Sequence, residues 1–105
     1  MSKYFIRGSY GAEGLRGTLS EGFGARMANI TKMVEAAGGS VESLYFAYGK
    51  DDLVGIIDAS EEAMIALSLA VNSTGAASIT TTPLLTAEQM DAAREQLPDY
   101  RPPGA

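Results

Sequence analysis

The sequence of 105 residues contains no cysteine and no histidine. Without cysteine, the protein has no disulfide bond, no thiolate zinc site and no cysteine nucleophile. Without histidine, it lacks both the commonest general base and the commonest metal ligand. These two absences exclude serine–histidine triads, histidine-ligated haem and ordinary catalytic zinc sites. We therefore predict that the protein binds no metal and no cofactor.

Positive charge and long apolar runs are also scarce. Lys and Arg total 8 against 13 Asp and Glu, which gives a formal net charge of -5. An acidic chain without a basic stripe is not typical of proteins that bind nucleic acid or anionic membranes. No apolar run approaches the roughly 20 residues of a membrane span, and the first residues lack the apolar run of a signal peptide. We predict a cytoplasmic location, with neither nucleic acid nor a membrane as a partner.

The length of the chain predicts a single domain. A domain of this size buries about 65% of its unfolded surface, which suffices for a core without disulfides or metals. We place the domain at residues 1–97. The segment 98–105 is rich in proline and glycine, and we predict that it forms a C-terminal tail.

The first strand and first helix are predicted from two short patterns. Residues 3–9 are typical of a strand, and the glycines that follow at steps of three predict an irregular loop, because they match no phosphate-binding motif. Thr18 and Glu21 have the spacing of a capping box. Apolar residues at positions 23, 27, 30, 34 and 37 then predict a helix that ends at Gly38-Gly39, with Arg26 on its outward side.

The remaining elements follow in a regular order. Residues 40–48 and 52–58 predict two strands joined through Gly49 as a tight antiparallel hairpin. Ser60 is a good N-cap for a helix that ends near Asn72, and residues 77–83 predict a fourth strand. Thr86 and Gln89 form a second capping box, and this terminal helix should end at proline 98.

This order predicts an α+β protein with a ferredoxin-like β-α-β-β-α-β fold and an added C-terminal helix. Right-handed crossovers place the third strand between the first and the second. The result is a four-stranded antiparallel sheet with both long helices on one face.

Both faces of that sheet should carry large apolar side chains. In the first strand Tyr4 and Ile6 point to one face and Phe5 to the other, and the third strand shows the same pattern. From residue 63 to residue 71 the second long helix has only one polar side chain, Ser68. We expect a second subunit to cover the exposed face. The alternative is a monomer whose tail and loops hide these surfaces.

The chain resembles the GYD-domain family, a group of small bacterial and archaeal proteins, over about residues 3–97. The resemblance is carried by Tyr10, Glu13-Gly14, Gly38-Gly39, Gly49, Asp52, the acidic start of the second long helix, Gly75 and Thr80-Thr81. It implies a ferredoxin-like fold that pairs into a dimeric α/β barrel. The family has no established activity to carry over.

The chain departs from the family at its signature. The family is named for a Gly-x-Tyr-Asp motif in the turn between the second and third strands. This chain has Gly49-Lys50-Asp51-Asp52, so Asp51 stands where the tyrosine is expected. If that tyrosine lines a ligand site in the family, the site is altered here.

Five residues are candidates for binding a small ligand: Arg7, Tyr10, Glu13, Tyr45 and Asp52. Asp52 stands where a cavity mouth would lie, although an aspartate in a turn also accepts backbone N–H bonds. Arg7 has the chemistry to hold an anion or to form a structural salt bridge. Tyr10 and Glu13 can donate and accept protons in contact with a ligand. Alternatively, packing and the charge at a helix start explain why these two residues are present. Tyr45 is either a ligand contact or a packing aromatic.

Three functions are compatible with the sequence. The first is a homo-oligomeric binding module with a small apolar pocket between sheet and helices, for an apolar or aromatic ligand. The second is a cofactor-independent oxygenase or isomerase of the dimeric α/β-barrel kind, by analogy of fold alone. It requires several candidate residues to converge on one cavity. The third is a structural assembly unit with no pocket. We favour the first.

Overall fold

The protein is an α+β domain in which helices cover one face of a single antiparallel sheet. A computed structural model describes residues 1–105. In chain order the elements are β1 (Ser2–Tyr10), α1 (Ala12–Glu21), α2 (Phe23–Ala36), β2 (Ser40–Phe46), β3 (Leu53–Ala59), α3 (Glu61–Asn72), β4 (Ala77–Leu84) and α4 (Ala87–Arg94). No helix is both long enough and apolar enough to cross a membrane.

The sheet has the strand order β2-β3-β1-β4, and every neighbouring pair is antiparallel. This confirms the predicted ferredoxin-like arrangement, with β3 between β1 and β2. Tyr4 lies opposite Ile57 of β3 and Pro83 of β4, so these three residues share one face of the sheet. We call this the helix face.

The core lies between the helix face and the two long helices. Its buried residues are Tyr4, Ile6, Leu44, Leu53, Ile57 and Ala59 from the sheet, with Ile30 and Val34 of α2 and Met64 and Leu67 of α3. Burying each large aliphatic side chain contributes about 1.5–3 kcal/mol. The helical spacing that predicted α2 is therefore the spacing of its core contacts.

The prediction of an irregular loop after β1 is wrong, because a helix, α1, occupies residues 12–21. Thr18 lies inside this helix, and its hydroxyl donates to the Gly14 carbonyl at 3.0 Å. Thr18 and Glu21 therefore do not form the capping box predicted for α2. Gly22, with a φ of 97°, separates the two helices instead. Glycine lowers helix propensity, but packing of α1 against α2, β1 and the backbone at Ala76 outweighs that preference.

The hairpin between β2 and β3 is antiparallel as predicted, but it is not tight, because its loop comprises residues 47–52. The Ala47 N–H donates to the Asp52 carbonyl across this loop at 2.9 Å. The strand ends at Phe46 and not at Tyr48, whose side chain is fully exposed.

The face of the sheet opposite the helix face, which we call the open face, has no helix on it. Phe5, Val54 and Ile56 are half-buried there, and Tyr45 is 67% exposed. This confirms that large apolar side chains point to both faces.

The C-terminal arm, residues 85–105, extends away from the domain. Its helix α4 begins with the predicted capping box of Thr86 and Gln89 but ends at Arg94, before proline 98. Every residue from Thr82 onward is exposed. The radius of gyration is 17.1 Å and the longest dimension 57 Å, whereas a compact chain of this length has a radius of about 13 Å. The division between domain and tail at residue 97 stays a prediction.

Candidate ligand site

A cavity lies between the helix face and helices α2 and α3, at the end of the sheet where β1 stops. We call it the central cavity, and its volume is about 40 Å³. Its walls are mostly aliphatic, from Ile30, Leu53, Ile57, Met64 and Leu67 among others. Among its lining residues, the polar side chains on the helix side are those of Tyr10 and Arg26.

Tyr10 is the last residue of β1, and the strand alternation places it on the helix face with Tyr4 and Ile6. Its side chain lines the central cavity. The Tyr10 hydroxyl is buried and has no hydrogen-bond partner. A buried hydroxyl without a partner is uncommon in folded proteins, because it has lost water without gaining a replacement.

Arg26 comes from the first turn of α2 and lies beside Tyr10. Its guanidinium carbon is 6.0 Å from the centre of the Tyr10 ring, at the outer limit of a cation–π contact. The Arg26 Nε is buried without a hydrogen-bond partner, and no carboxylate lies within salt-bridge distance of the guanidinium. The site therefore holds an unneutralised positive charge at the edge of an apolar cavity.

Asp52 holds the end of β1 in position. Its carboxylate oxygen accepts the backbone N–H of Tyr10 at 2.8 Å, and its own N–H donates to the Gly8 carbonyl at 2.8 Å. Asp52 does not line the central cavity. The structure thus gives this residue the backbone-binding role that aspartate commonly has in turns.

Two open grooves meet at Tyr10. The α1 groove, about 180 Å³, runs between α1 and the start of β4 and is lined by both Tyr10 and Arg26, with Thr18 and Glu21 nearby. A wider groove of about 510 Å³ runs along Ser9 and Asn72. Tyr10 and Arg26 therefore stand at a boundary, with an apolar cavity on one side and solvent on the other.

The other three candidate residues lie elsewhere. Arg7 and Tyr45 are on the open face, where they flank Val54 in one cross-strand row. Glu13 is exposed in the first turn of α1, where its charge complements the helix dipole. The structure thus brings Tyr10 and Asp52 together and separates them from Arg7, Tyr45 and Glu13.

Arg26 lines the central cavity, although the sequence pattern places it on the outward side of its helix. It lies four residues before Ile30, a core residue, and side chains four apart share one face of a helix. That spacing was the available signal. At the first turn of α2 this face reaches past the core to Tyr10, so a long charged side chain fits at the cavity mouth.

The family model of the GYD domain matches residues 4–93, and the chain belongs to this family. The match runs from β1 into α4 and so includes the sheet, the central cavity and both grooves. Comparisons with curated proteins and with solved structures find no significant match.

Proposed function

We propose that this protein is a homo-oligomeric binding module whose ligand pocket is the central cavity. The observation that carries the proposal is the pair of buried polar atoms at the cavity mouth, the Tyr10 hydroxyl and the Arg26 Nε, neither of which has a partner. Each such atom costs about 1–3 kcal/mol when unsatisfied. A bound molecule that supplies the missing partners would recover part of that cost.

The size of the cavity restricts the ligand. About 40 Å³ is room for roughly three water molecules, whereas pockets for drug-sized molecules span about 300–1,000 Å³. A short aliphatic chain therefore fits inside, whereas a benzene-sized ring, which needs a cavity of about 150 Å³, would lie in the grooves. This supports a small apolar ligand, with any aromatic part outside the central cavity.

The open face and the C-terminal arm support association with a second copy. Monomers seldom expose contiguous apolar patches beyond a few hundred Å². The open face presents Phe5, Val54, Ile56 and Tyr45, and the arm exposes further large apolar side chains: Leu85, Met90, Leu97 and Tyr100. A second copy would bury both surfaces, as in a dimeric α/β barrel.

Charge on the open face supports the same partner. The Arg7 Nε and the Asp58 Oδ1 are both buried there without hydrogen-bond partners. In a two-fold symmetric dimer the same surface of both subunits forms the interface, so every contact between two different residues occurs twice. A two-fold axis near Phe5 would bring Arg7 of each copy to Asp58 of the other.

Filling the central cavity tests the binding proposal. Val71 of α3 lines the cavity, whereas Ala70 beside it is exposed. We expect that at least one compound in a panel of small aromatic and aliphatic molecules raises the melting temperature of the wild type and of Ala70→Phe, but not that of Val71→Phe. The proposal is wrong if no compound in the panel stabilises the wild type, or if Val71→Phe responds as strongly as Ala70→Phe.

No specific observation favours the enzyme alternative. It required Arg7, Tyr10, Glu13 or Asp52 to converge on one cavity, and of these only Tyr10 lines it. The cavity also favours a binding module over an assembly unit without a pocket. The cytoplasmic location stays a prediction.

A further inference from the structure

We infer that the site selects a small anion, a molecule with one carboxylate or a similar anionic head group on a short apolar body. The inference rests on the proposed function, since it names the ligand class of the same pocket. Arg26 and Tyr10 would bind the head group, and the central cavity would enclose the apolar body.

The Arg26 guanidinium forms no salt bridge with an acidic side chain of the protein. An arginine is always protonated in proteins and offers five N–H donors. The Asp52 carboxylate accepts the Tyr10 backbone N–H, and Glu21 of the α1 groove forms no ion pair. The first turn of α2 contains no acidic residue, so the helix dipole adds to the positive charge of Arg26.

A carboxylate satisfies the donors that the site leaves unpaired. It accepts two parallel hydrogen bonds from a guanidinium, one of them from Nε. The Tyr10 hydroxyl is a further donor beside it. A cationic head group would instead meet the charge of Arg26 and be repelled.

The position of these two residues also determines how the ligand lies. Because Tyr10 and Arg26 line both the central cavity and the α1 groove, a head group bound to them stays in contact with solvent. The reverse orientation would bury a carboxylate among Ile30, Met64 and Leu67. Burying an ion without a partner costs far more than the burial of an alkyl chain recovers.

Three probes of equal length test the inference: butyrate, butyramide and butylamine, titrated calorimetrically into the full-length protein. Charge-assisted hydrogen bonds lead us to expect that butyrate binds about tenfold or more tightly than butyramide, and that butylamine binds weakest. Arg26→Met should abolish the preference for butyrate while butyramide affinity is retained. Tyr10→Phe keeps the ring and removes the hydroxyl, so it should weaken butyrate binding a few-fold even if Arg26→Met does not fold.

The outcomes separate this inference from the proposed function. Equal affinity for butyrate and butyramide overturns the anion inference, but the apolar pocket stands if Val71→Phe abolishes both. Failure of all three probes to bind also overturns the inference, and the separate panel of apolar compounds then decides the pocket. If Arg26→Met changes the mass of the oligomer instead of ligand affinity, a carboxylate of a second copy is the partner of Arg26 and the inference is wrong.

Discussion

At the scale of single residues, Gly14 and Gly17 on α1 have very different surroundings. A Cβ added to Gly14 would lie 2.0 Å from the carbonyl oxygen of Ala76, whereas one added to Gly17 meets nothing within 4 Å. At Gly14, therefore, α1 lies in close contact with the backbone of Ala76, the residue before β4. Gly11 reinforces the contact, because its N–H donates to the same carbonyl at 2.9 Å.

We expect Gly14→Ala and Gly17→Ala to change stability in opposite directions. Alanine is a better helix former than glycine by about 0.5–1 kcal/mol, and Gly17→Ala should gain roughly that amount. Gly14→Ala must displace backbone, and overpacking of this kind costs about 1–3 kcal/mol. Urea unfolding of both variants measures the difference. Equal free energies of unfolding would contradict the close approach of α1 to Ala76.

At the scale of elements, Lys3 of β1 bridges the three adjacent strands. Its ammonium group is bonded to the Glu42 carboxylate of β2 and lies 3.8 Å from a carboxylate oxygen of Asp58 on β3. The hydrogen bond to Glu42 raises the pKa of Lys3 above its ordinary value of 10.5. The pair is half exposed, so its contribution to stability should be small and sensitive to salt.

The sign of the Lys3 contribution predicts its pH dependence. Because the pKa is higher in the folded state, the stabilisation is fully present below the unfolded pKa of 10.5 and is lost as pH rises through the folded pKa. The melting temperature of the wild type should therefore exceed that of Lys3→Met at neutral pH, and the two should converge in strong alkali. Lys50→Met, which removes a lysine without an ion pair, serves as the control and should track the wild type. A difference in melting temperature between the wild type and Lys3→Met that persists or grows at high pH would contradict a stabilising role for the Lys3–Glu42 ion pair.

Three of the four helices could be predicted from the sequence. Core spacing at Ile30 and Val34 identified α2, and side-chain caps at Ser60 and Thr86 identified the starts of α3 and α4. These signals are local, so the sequence carries them directly. Local patterns do not reveal α1, because its glycines are poor helix formers and its support comes from other parts of the chain: α2, β1 and the Ala76 carbonyl just before β4.

At the scale of the whole molecule, two surfaces remain without a partner. The open face leaves Arg7 and Asp58 with unsatisfied buried atoms, and every residue of the C-terminal arm is exposed. Both surfaces therefore belong to the same proposal of a second copy.

Charge reversal on the open face should change the mass of the protein in solution. We expect the wild type to exceed the monomer mass of 11.0 kDa in light scattering. Arg7→Glu places like charges across the proposed interface and should shift the mass toward the monomer, and addition of Asp58→Lys should restore association in part. Lys50→Glu makes the same change of charge in the exposed β2–β3 loop and should have no effect. A wild type with a clean monomer mass would overturn the proposed oligomer.

The sequence by itself determined the order of every element except α1, the strand arrangement and the membership in the GYD-domain family, because these depend on periodicity, caps and short motifs within each segment. Only the tertiary structure decided the candidate site. Tyr10 and Arg26 meet because the end of β1 and the start of α2 converge at one edge of the core, and no local pattern encodes that distance. The tertiary structure also decides the role of Asp52, because its carboxylate accepts the backbone N–H of Tyr10. The unsatisfied polar atoms at the cavity are instead the Tyr10 hydroxyl and the Arg26 Nε.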